Sequence, residues 1–438
     1  MSTSVLISGI GLIGSLALMA ILIFKKLSPI IIGPIAAIIV CLCSRLPLFD
    51  SLTRDYMGGV ADYFKTYFFI FLLGSILGNL YQESGAATRI GMMIANGFGS
   101  RHVMLACMIP PAILSYGGIN SFVIIFAVYP IALKLFEEAD LPTYMLPGIV
   151  CGGMWTFAMT GPFTPQIPNI ISMKYLHTPS YAGLVPGVIG AAVQVVLILA
   201  FMNWAGHRAK KRGEHFQWPE GVHRIPEDAS LPSLTTSLIP LVMVLVLFNV
   251  KPLGLDIIVC LVIGILLSLL FFWKYLPRGT KLLSIFNDAS RSAVIIILNT
   301  AMIVGFGSVA RSTAFYAYAT TVLEHSSANP YVVAAVGANV FAGILGSASG
   351  GLALMYETLA DTFLKYAQQG YNIGYIHRLC SDGSGGLDSL PWNGSIVSVF
   401  NVCHTTHQLS YKYNFVTCLV VPVIATFGVA LPFCIIFG

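Results

Sequence analysis

Charge is what this chain has least of. Asp, Glu, Lys and Arg together make up 9% of its 438 residues, while apolar residues make up 56%. A soluble globular protein carries about 25% charged residues, so the deficit excludes a solvated surface and points to a polytopic membrane protein. The net charge of +5 is no nucleic-acid signal. Most of it sits in short loops beside apolar runs, where basic residues set orientation in the bilayer. Paired cysteines are missing too. The nine cysteines show no CxxC and no metal-ligand spacing, so they read as small packing residues and no cofactor is expected. An intramembrane enzyme would need a HExxH, a GxGD acid pair or a basic cluster within a span, and none is present. A channel would need a ring of charges or a continuous polar lining, which is also missing.

What is present is a long series of apolar runs. Val5–Phe24 precedes Lys25 and Lys26, the reverse of a signal peptide's order, so it reads as a first transmembrane helix. Runs of about 20 residues, enough to cross roughly 30 Å of hydrocarbon, fall near 5–24, 28–44, 62–81, 144–170 and 181–205. They recur near 233–250, 254–273, 291–309, 375–403 and 413–437. The one long polar stretch, His207–Ser233, separates the two sets, and its basic residues predict a cytoplasmic linker over 206–232. The expectation is an all-α polytopic membrane protein of about ten transmembrane helices in two repeats, 1–205 and 233–438.

Two more apolar segments are interrupted by glycine. The first, Met104–Leu133, breaks at Ser115-Tyr116-Gly117-Gly118-Ile119-Asn120. The second, Val332–Leu364, breaks at Gly346-Ser347-Ala348-Ser349-Gly350-Gly351. Their arms are short for a full crossing, which predicts re-entrant hairpins near 103–135 and 331–366. That reading gathers Lys25, Lys26, Arg89, Arg101, Lys134 and Lys412 with the linker on the inner face. Each hairpin precedes a crossing broken by proline and polar residues, at Thr160–Asn169 and at Leu387–Gly394. Five crossings per half is an odd number, so the halves are expected to be inverted repeats. Matched interrupted segments point to a substrate site at the bilayer midplane.

The breaks carry residues that start helices. Asn120 and Ser121 follow Gly117 and Gly118; Ser349 precedes Gly350 and Gly351; Thr164 precedes Pro165; Asn393 precedes Gly394. Four such N-termini would make a pocket of amides and hydroxyls, an anion site without a cation. The expected substrate-binding residues are Ser115, Tyr116, Gly117, Gly118, Asn120 and Ser121 from the first hairpin, with Thr160, Thr164 and Asn169 from the break after it. The second half contributes Ser347, Ser349, Gly350 and Gly351, with Ser389, Trp392 and Asn393. No charged residue lies between Val103 and Lys134 or between Val332 and Glu357. No Lys or Arg lies between Met145 and Lys174 or between Leu379 and Lys412. Such a site suits a small monocarboxylate, whereas a tricarboxylate calls for arginine forks.

Two acids lie in those windows. Asp388, beside Ser389, Pro391 and Asn393, is the candidate proton carrier, with a helix cap or a hydroxyl partner as the alternative role. Asp382, nearer the outer end of the same crossing, reads as solvated. His404 and His407 are expected one turn apart on one helix, as a proton relay or as interfacial residues. Glu83, Arg89, Arg311, Glu357 and Asp361 read as interfacial.

The stretch SGGLDSLPWNG (Ser384–Gly394), followed by HTTHQLSYK (His404–Lys412), resembles the gluconate permease family, particularly its 3-hydroxybutyrate permease branch. YGGINSFVIIFAVYPIA in the first hairpin and the run Leu72–Ile90 are similar to it as well. The resemblance implies proton-coupled symport of a small hydroxy or sugar acid across a bacterial inner membrane. Through the wider superfamily it implies a homodimer with an elevator-type transport domain carrying both hairpins. Where the family pattern has histidine, in LPHNG, this chain has Trp392, so no role of that histidine carries over. Sodium coupling stays open beside proton coupling, because unwound carbonyls and half-helix C-termini coordinate sodium.

Overall fold

The computed structural model describes residues 2–25, 27–98, 102–119, 121–219, 231–249, 255–324, 328–391 and 393–438. Among these residues every regular element is helical. Four helices are long and apolar enough to cross a membrane: Leu48–Glu83, Leu184–Lys211, Thr280–Arg311 and His407–Phe437. The runs expected near 28–44, 233–250 and 254–273 each hold a 16-residue helix, Pro29–Ser44, Leu234–Asn249 and Ile257–Phe272, about 24 Å long. Their starts follow from local chemistry. Ser28 accepts from the Ile30 amide with Pro29 at the first helical position, and Asp256 accepts from the Ile258 amide at 2.8 Å.

Each expected hairpin is two helices packed on one another: Val103–Tyr116 with Ser121–Glu138, and Pro330–Leu345 with Ala348–Gln368. The last arm is longer than a hairpin leg was expected to be. Its final turns carry Glu357, Asp361 and Lys365, a polar end beyond the apolar stretch. Two helices escaped the sequence reading, Ala86–Phe98 and Ala314–Glu324. Both are short and amphipathic, and each immediately precedes a hairpin. The polar linker also begins later than expected, because the helix before it runs on to Lys211.

The two halves exchange contacts reciprocally. The long helices Met57–Glu83 and Thr280–Arg311 form the most extensive pair in the fold. Pro29–Ser44 packs on Thr280–Arg311, and its counterpart Ile257–Phe272 packs on Met57–Glu83. Small residues let the two long helices approach: a Cβ on Gly59 would meet the Ser308 side chain, and one on Gly305 would meet Val60 and Tyr56. There are two apolar cores. One joins the first hairpin to second-half residues such as Leu241, Val244 and Leu261. The other joins the second hairpin to first-half residues such as Ile32, Val40 and Tyr63. Each hairpin packs mainly on helices of its own half and is also covered in part by side chains of the opposite half.

Candidate substrate site at the helix breaks

The first hairpin turns at Gly117 and Gly118, the latter at φ +82°, where a side chain would be strained. The turn amides bond back to helix Val103–Tyr116, Gly118 N–H to the Ser115 carbonyl at 3.0 Å, and the next break adds side-chain donors. Gln166 Nε2 donates to the carbonyls of Ser115 (2.6 Å) and Ile119 (3.2 Å), while Ser115 Oγ donates to the Met154 carbonyl at 3.0 Å. Tyr116 reaches the Phe157 carbonyl at 3.5 Å and lines an apolar groove of about 650 Å³ with Phe163, Val188 and Leu245. Gln166 was not among the expected residues.

The broken segment that follows runs as Leu146–Met154, Phe157–Thr160 and Ile167–Leu176. The last helix starts two residues later than the Thr164-Pro165 pair suggested. Gln166 is its N-cap position and Pro168 lies in its first turn. The Thr164 hydroxyl turns inward to the Ala158 carbonyl at 2.9 Å.

At the second hairpin, Pro330–Leu345 closes at Gly346 in the left-handed region. The cap is Ser347, whose Oγ accepts from the Gly350 amide at 3.2 Å, and not Ser349 as expected. Gly350 and Gly351 thus lie inside the first turn. Ser349, freed from capping, is held by the Tyr63 hydroxyl at 3.2 Å. The second broken segment runs as Ile373–Ser384, Leu387–Ser389 and Gly394–Val402. Asn393 caps its last helix as expected, accepting from the Ser395 amide at 2.7 Å. Its Nδ2 donates to the Asp388 carbonyl at 2.8 Å.

Asp388 is buried, with 9% of its surface exposed. It caps no helix; Ser389 Oγ donates to Asp388 Oδ1 at 3.1 Å, and among the described residues the carboxylate has no ion-pair partner. The Tyr411 hydroxyl holds the Ser389 carbonyl at 3.1 Å. The two histidines do not share a helix. His404 is exposed in a left-handed turn (φ +48°), and His407 opens the next helix, where it bonds the Pro391 carbonyl. His407 therefore touches the break and His404 does not. Asn120 and Trp392 lie outside the described residues.

The four helices that start at the breaks pack in pairs across the halves. Gly394–Val402 packs on Ser121–Glu138, and Ile167–Leu176 packs on Ala348–Gln368. The expected absence of a cation does not hold. Arg378, one residue outside the window starting at Leu379, is fully buried. It donates to the carbonyls of Ala182 (3.1 Å from Nε, 2.9 Å from Nη2), Thr160 and Ser180, and to Asn169 Oδ1 at 3.2 Å. Those carbonyls end helix Phe157–Thr160 and the loop before Leu184, where no helix partner exists.

Asn169, expected to meet substrate, is instead the hub of this cluster. Its Nδ2 donates to the carbonyls of Thr164 and Ser180, and its Oδ1 also accepts from His377 Nε2 at 2.8 Å. With the proton on Nε2, the neutral ring accepts the Thr178 hydroxyl at Nδ1, 2.6 Å away. Asp382, one helical turn beyond Arg378, is 4% exposed and lies against the Thr160 side chain, not in solvent at an outer end. Ser172 and Ser381 hydroxyls meet at 3.0 Å beside Tyr356. The cluster clamps the two broken segments together.

The sequence profile of the GntP family permeases matches residues 5–255. An uncharacterised transporter of Bacillus subtilis, YxjC, is 29% identical over 93% of this chain and 94% of its own length. A gluconate permease of Bacillus subtilis is 26% identical over 43% of this chain and 39% of its own. Among solved structures, the YdaH transporter of Alcanivorax borkumensis superposes with a TM-score of 0.55 over 88% of this chain and 90% of that one, at 13% identity. The similarity to that structure is one of fold.

Proposed function

The chain belongs to the GntP family of permeases and is a multi-pass membrane transporter, and on that premise we propose that it carries a small organic anion by proton-coupled symport. The substrate class is a hydroxy monocarboxylate or sugar acid, with 3-hydroxybutyrate the first acid to test. The setting is a bacterial inner membrane. The observation that carries the coupling is Asp388. A carboxylate buried beside a capped helix N-terminus, with a hydroxyl as partner and no ion pair among the described residues, costs less protonated than charged. In this reading it takes a proton when the neighbouring site fills. The capped N-termini at Ser347 and Asn393 offer amides and hydroxyls to a carboxylate.

The reciprocal packing of the halves supports inverted repeats that present the site alternately to each face. We read the hairpins as re-entrant and the mechanism as an elevator working within a homodimer. Purified protein in proteoliposomes tests the function directly. An inward proton gradient is imposed, with and without sodium, and uptake of lactate, 3-hydroxybutyrate, gluconate and citrate is followed. The expected result is gradient-driven, sodium-indifferent uptake of a monocarboxylate. Uptake that requires sodium and ignores the proton gradient overturns the coupling; preference for citrate overturns the substrate class.

A further inference from the structure

A second polar space lies beside the tip of the second hairpin, away from Asp388. It is a slot of about 480 Å³, within the size range of small-molecule sites. Its walls come from three elements. Helix Ala348–Gln368 presents Ala353 and Glu357 to the slot, and Ser349, four residues before Ala353, lies on the same face at the hairpin tip. Helix Met57–Glu83 presents Tyr63, Thr66 and Tyr67, and the end of Ile167–Leu176 presents Lys174. The Tyr63–Ser349 hydrogen bond connects the slot to the hairpin tip.

The slot lining carries two acids and two bases, Asp62, Glu357, Lys65 and Lys174, and Arg311, just outside it, tips the balance to the positive side. Glu357 is held by Arg311 at 2.8 Å. Asp62 and Lys65, of opposite sign, stand one helical turn apart at the rim. Lys174 remains. Among the described residues its ammonium has no carboxylate in ion-pair reach. It sits instead 5.9 Å from the Tyr67 ring centre and 5.8 Å from that of Tyr175. Two ring faces position the cation, and Glu357 feels its charge without pairing with it. The Tyr67 hydroxyl, in the same slot, has no hydrogen-bond partner among the described residues. One cation without an ion-pair partner among the described residues, beside an unused hydroxyl, is a recognition pair for a carboxylate with a nearby OH. The orientation expected from the basic residues puts Lys174 at the outer face, where an imported anion arrives.

We propose that this slot is the capture site for the transported anion. Lys174 pairs with the carboxylate, Tyr67 reads the hydroxyl, and the anion passes along the Glu357–Ala353–Ser349 stripe to the hairpin tip. This rests on the transporter of hydroxy acids proposed above and adds residues that the helix breaks do not contain.

The test measures KM and maximal rate for 3-hydroxybutyrate and for butyrate, which lacks the hydroxyl, in proteoliposomes. Lys174→Gln is expected to raise KM by about tenfold for both acids, the loss of one charge-assisted contact, with the maximal rate within about twofold of wild type. Lys174→Arg is expected to restore KM. Tyr67→Phe is expected to raise KM for 3-hydroxybutyrate and leave butyrate unchanged. Raising ionic strength is expected to raise KM in the wild type and not in Lys174→Gln. Should Lys174→Gln fold poorly, Lys174→Met keeps the aliphatic stem between the two rings and is read in its place. A wild-type KM in either neutral variant removes the capture site and leaves the transport reading standing. A wild type that takes up neither 3-hydroxybutyrate nor any acid of the earlier panel removes both.

Discussion

Two ionisable side chains divide the work at the residue scale, and they behave oppositely. Among the described residues the Asp388 carboxylate is held by Ser389 alone, through its hydroxyl and its backbone amide; Arg378 spends its fork on carbonyls such as that of Ala182, which would otherwise be orphaned. Asp388→Asn is therefore expected to abolish proton-driven accumulation while leaving exchange of labelled for unlabelled substrate within about threefold of wild type, because only the protonated form is mimicked. Counterflow measured beside gradient-driven uptake checks this, and accumulation that persists with its pH dependence intact removes the carrier role. Arg378→Ala should act on stability first. Removing one partner from a buried charged network costs about 3–5 kcal/mol, so the variant is expected to melt well below wild type in a thermal unfolding assay; an unchanged melting temperature would refute the clamp. Asp388 was legible in the sequence because a carboxylate in a proline-broken apolar run is expensive. Arg378 was not. A lone arginine near the end of a predicted crossing reads as a loop charge, and only its spacing of four from Asp382 hinted that this turn is buried.

The element scale turns on how the hairpins close. A Cβ on Gly351 would lie 2.4 Å from the Ala342 backbone of the facing arm, which cannot yield. A Cβ on Gly350 would meet Ser347 and Val304 at 3.4–3.5 Å, ordinary contact. Gly351→Ala should thus cost about 1–3 kcal/mol or more and splay the hairpin, whereas Gly350→Ala should keep near-wild-type melting and uptake. Equal behaviour of the two variants would show that arm contact does not set the tip. The sequence located both breaks but misplaced two caps by two residues, at Ser347 and Gln166. Several Ser, Thr and Gly residues near each break satisfy the same local rule, and tertiary partners such as Tyr63 choose between them.

The linker that follows Lys211 shows a further element-scale device. It is tied back to the loop after the first hairpin: His215 Nδ1 meets Asp140 Oδ2 at 2.8 Å, the Phe216 amide donates to Asp140 Oδ1 at 3.0 Å, and the Tyr144 hydroxyl bonds Glu214. The Phe216 amide, then His215, hold the Asp140 carboxyl below its usual range; Tyr144, then Arg212, do the same for Glu214. Both groups have depressed folded values, so their contribution is present above the ordinary carboxylate range and fades as pH falls through the lowered values, below about 4. Tryptic cleavage near Lys210–Arg212 cannot be followed at such acidity, but hydrogen exchange of the Phe216 amide can. Its protection factor, taken against the intrinsic exchange rate at each pH, is expected to fall on acidification in wild type and to be low at every pH in Asp140→Ala; protection that survives the substitution would dismiss the strap.

On the scale of the whole molecule, the matching breaks were readable from the sequence, but the interleaving of the two halves was not. Nothing in the local pattern of Met104–Leu133 says that its glycines will be covered by Leu241 and Leu261 of the other half. That interleaving gives the elevator proposal its sharpest test. If the hairpins move against the long helices, the contact between Gly307 on Thr280–Arg311 and Leu354 on Ala348–Gln368 must slide. A Cβ on Gly307 would sit 3.5 Å from the Leu354 Cγ position, where the sulfur of a cysteine at 354 would lie, within reach of a disulfide. Eight of the nine native cysteines are buried and Cys43 is partly exposed, so Cys43→Ser leaves a quiet background for Gly307→Cys with Leu354→Cys. Oxidation of that pair is expected to stop uptake while substrate still raises the melting temperature, and reduction is expected to restore transport. Mass spectrometry verifies the cross-link. Full turnover by the cross-linked protein would mean that this interface stays fixed, and the substrate would then have to be exposed to the two faces by local opening of the hairpin tips alone.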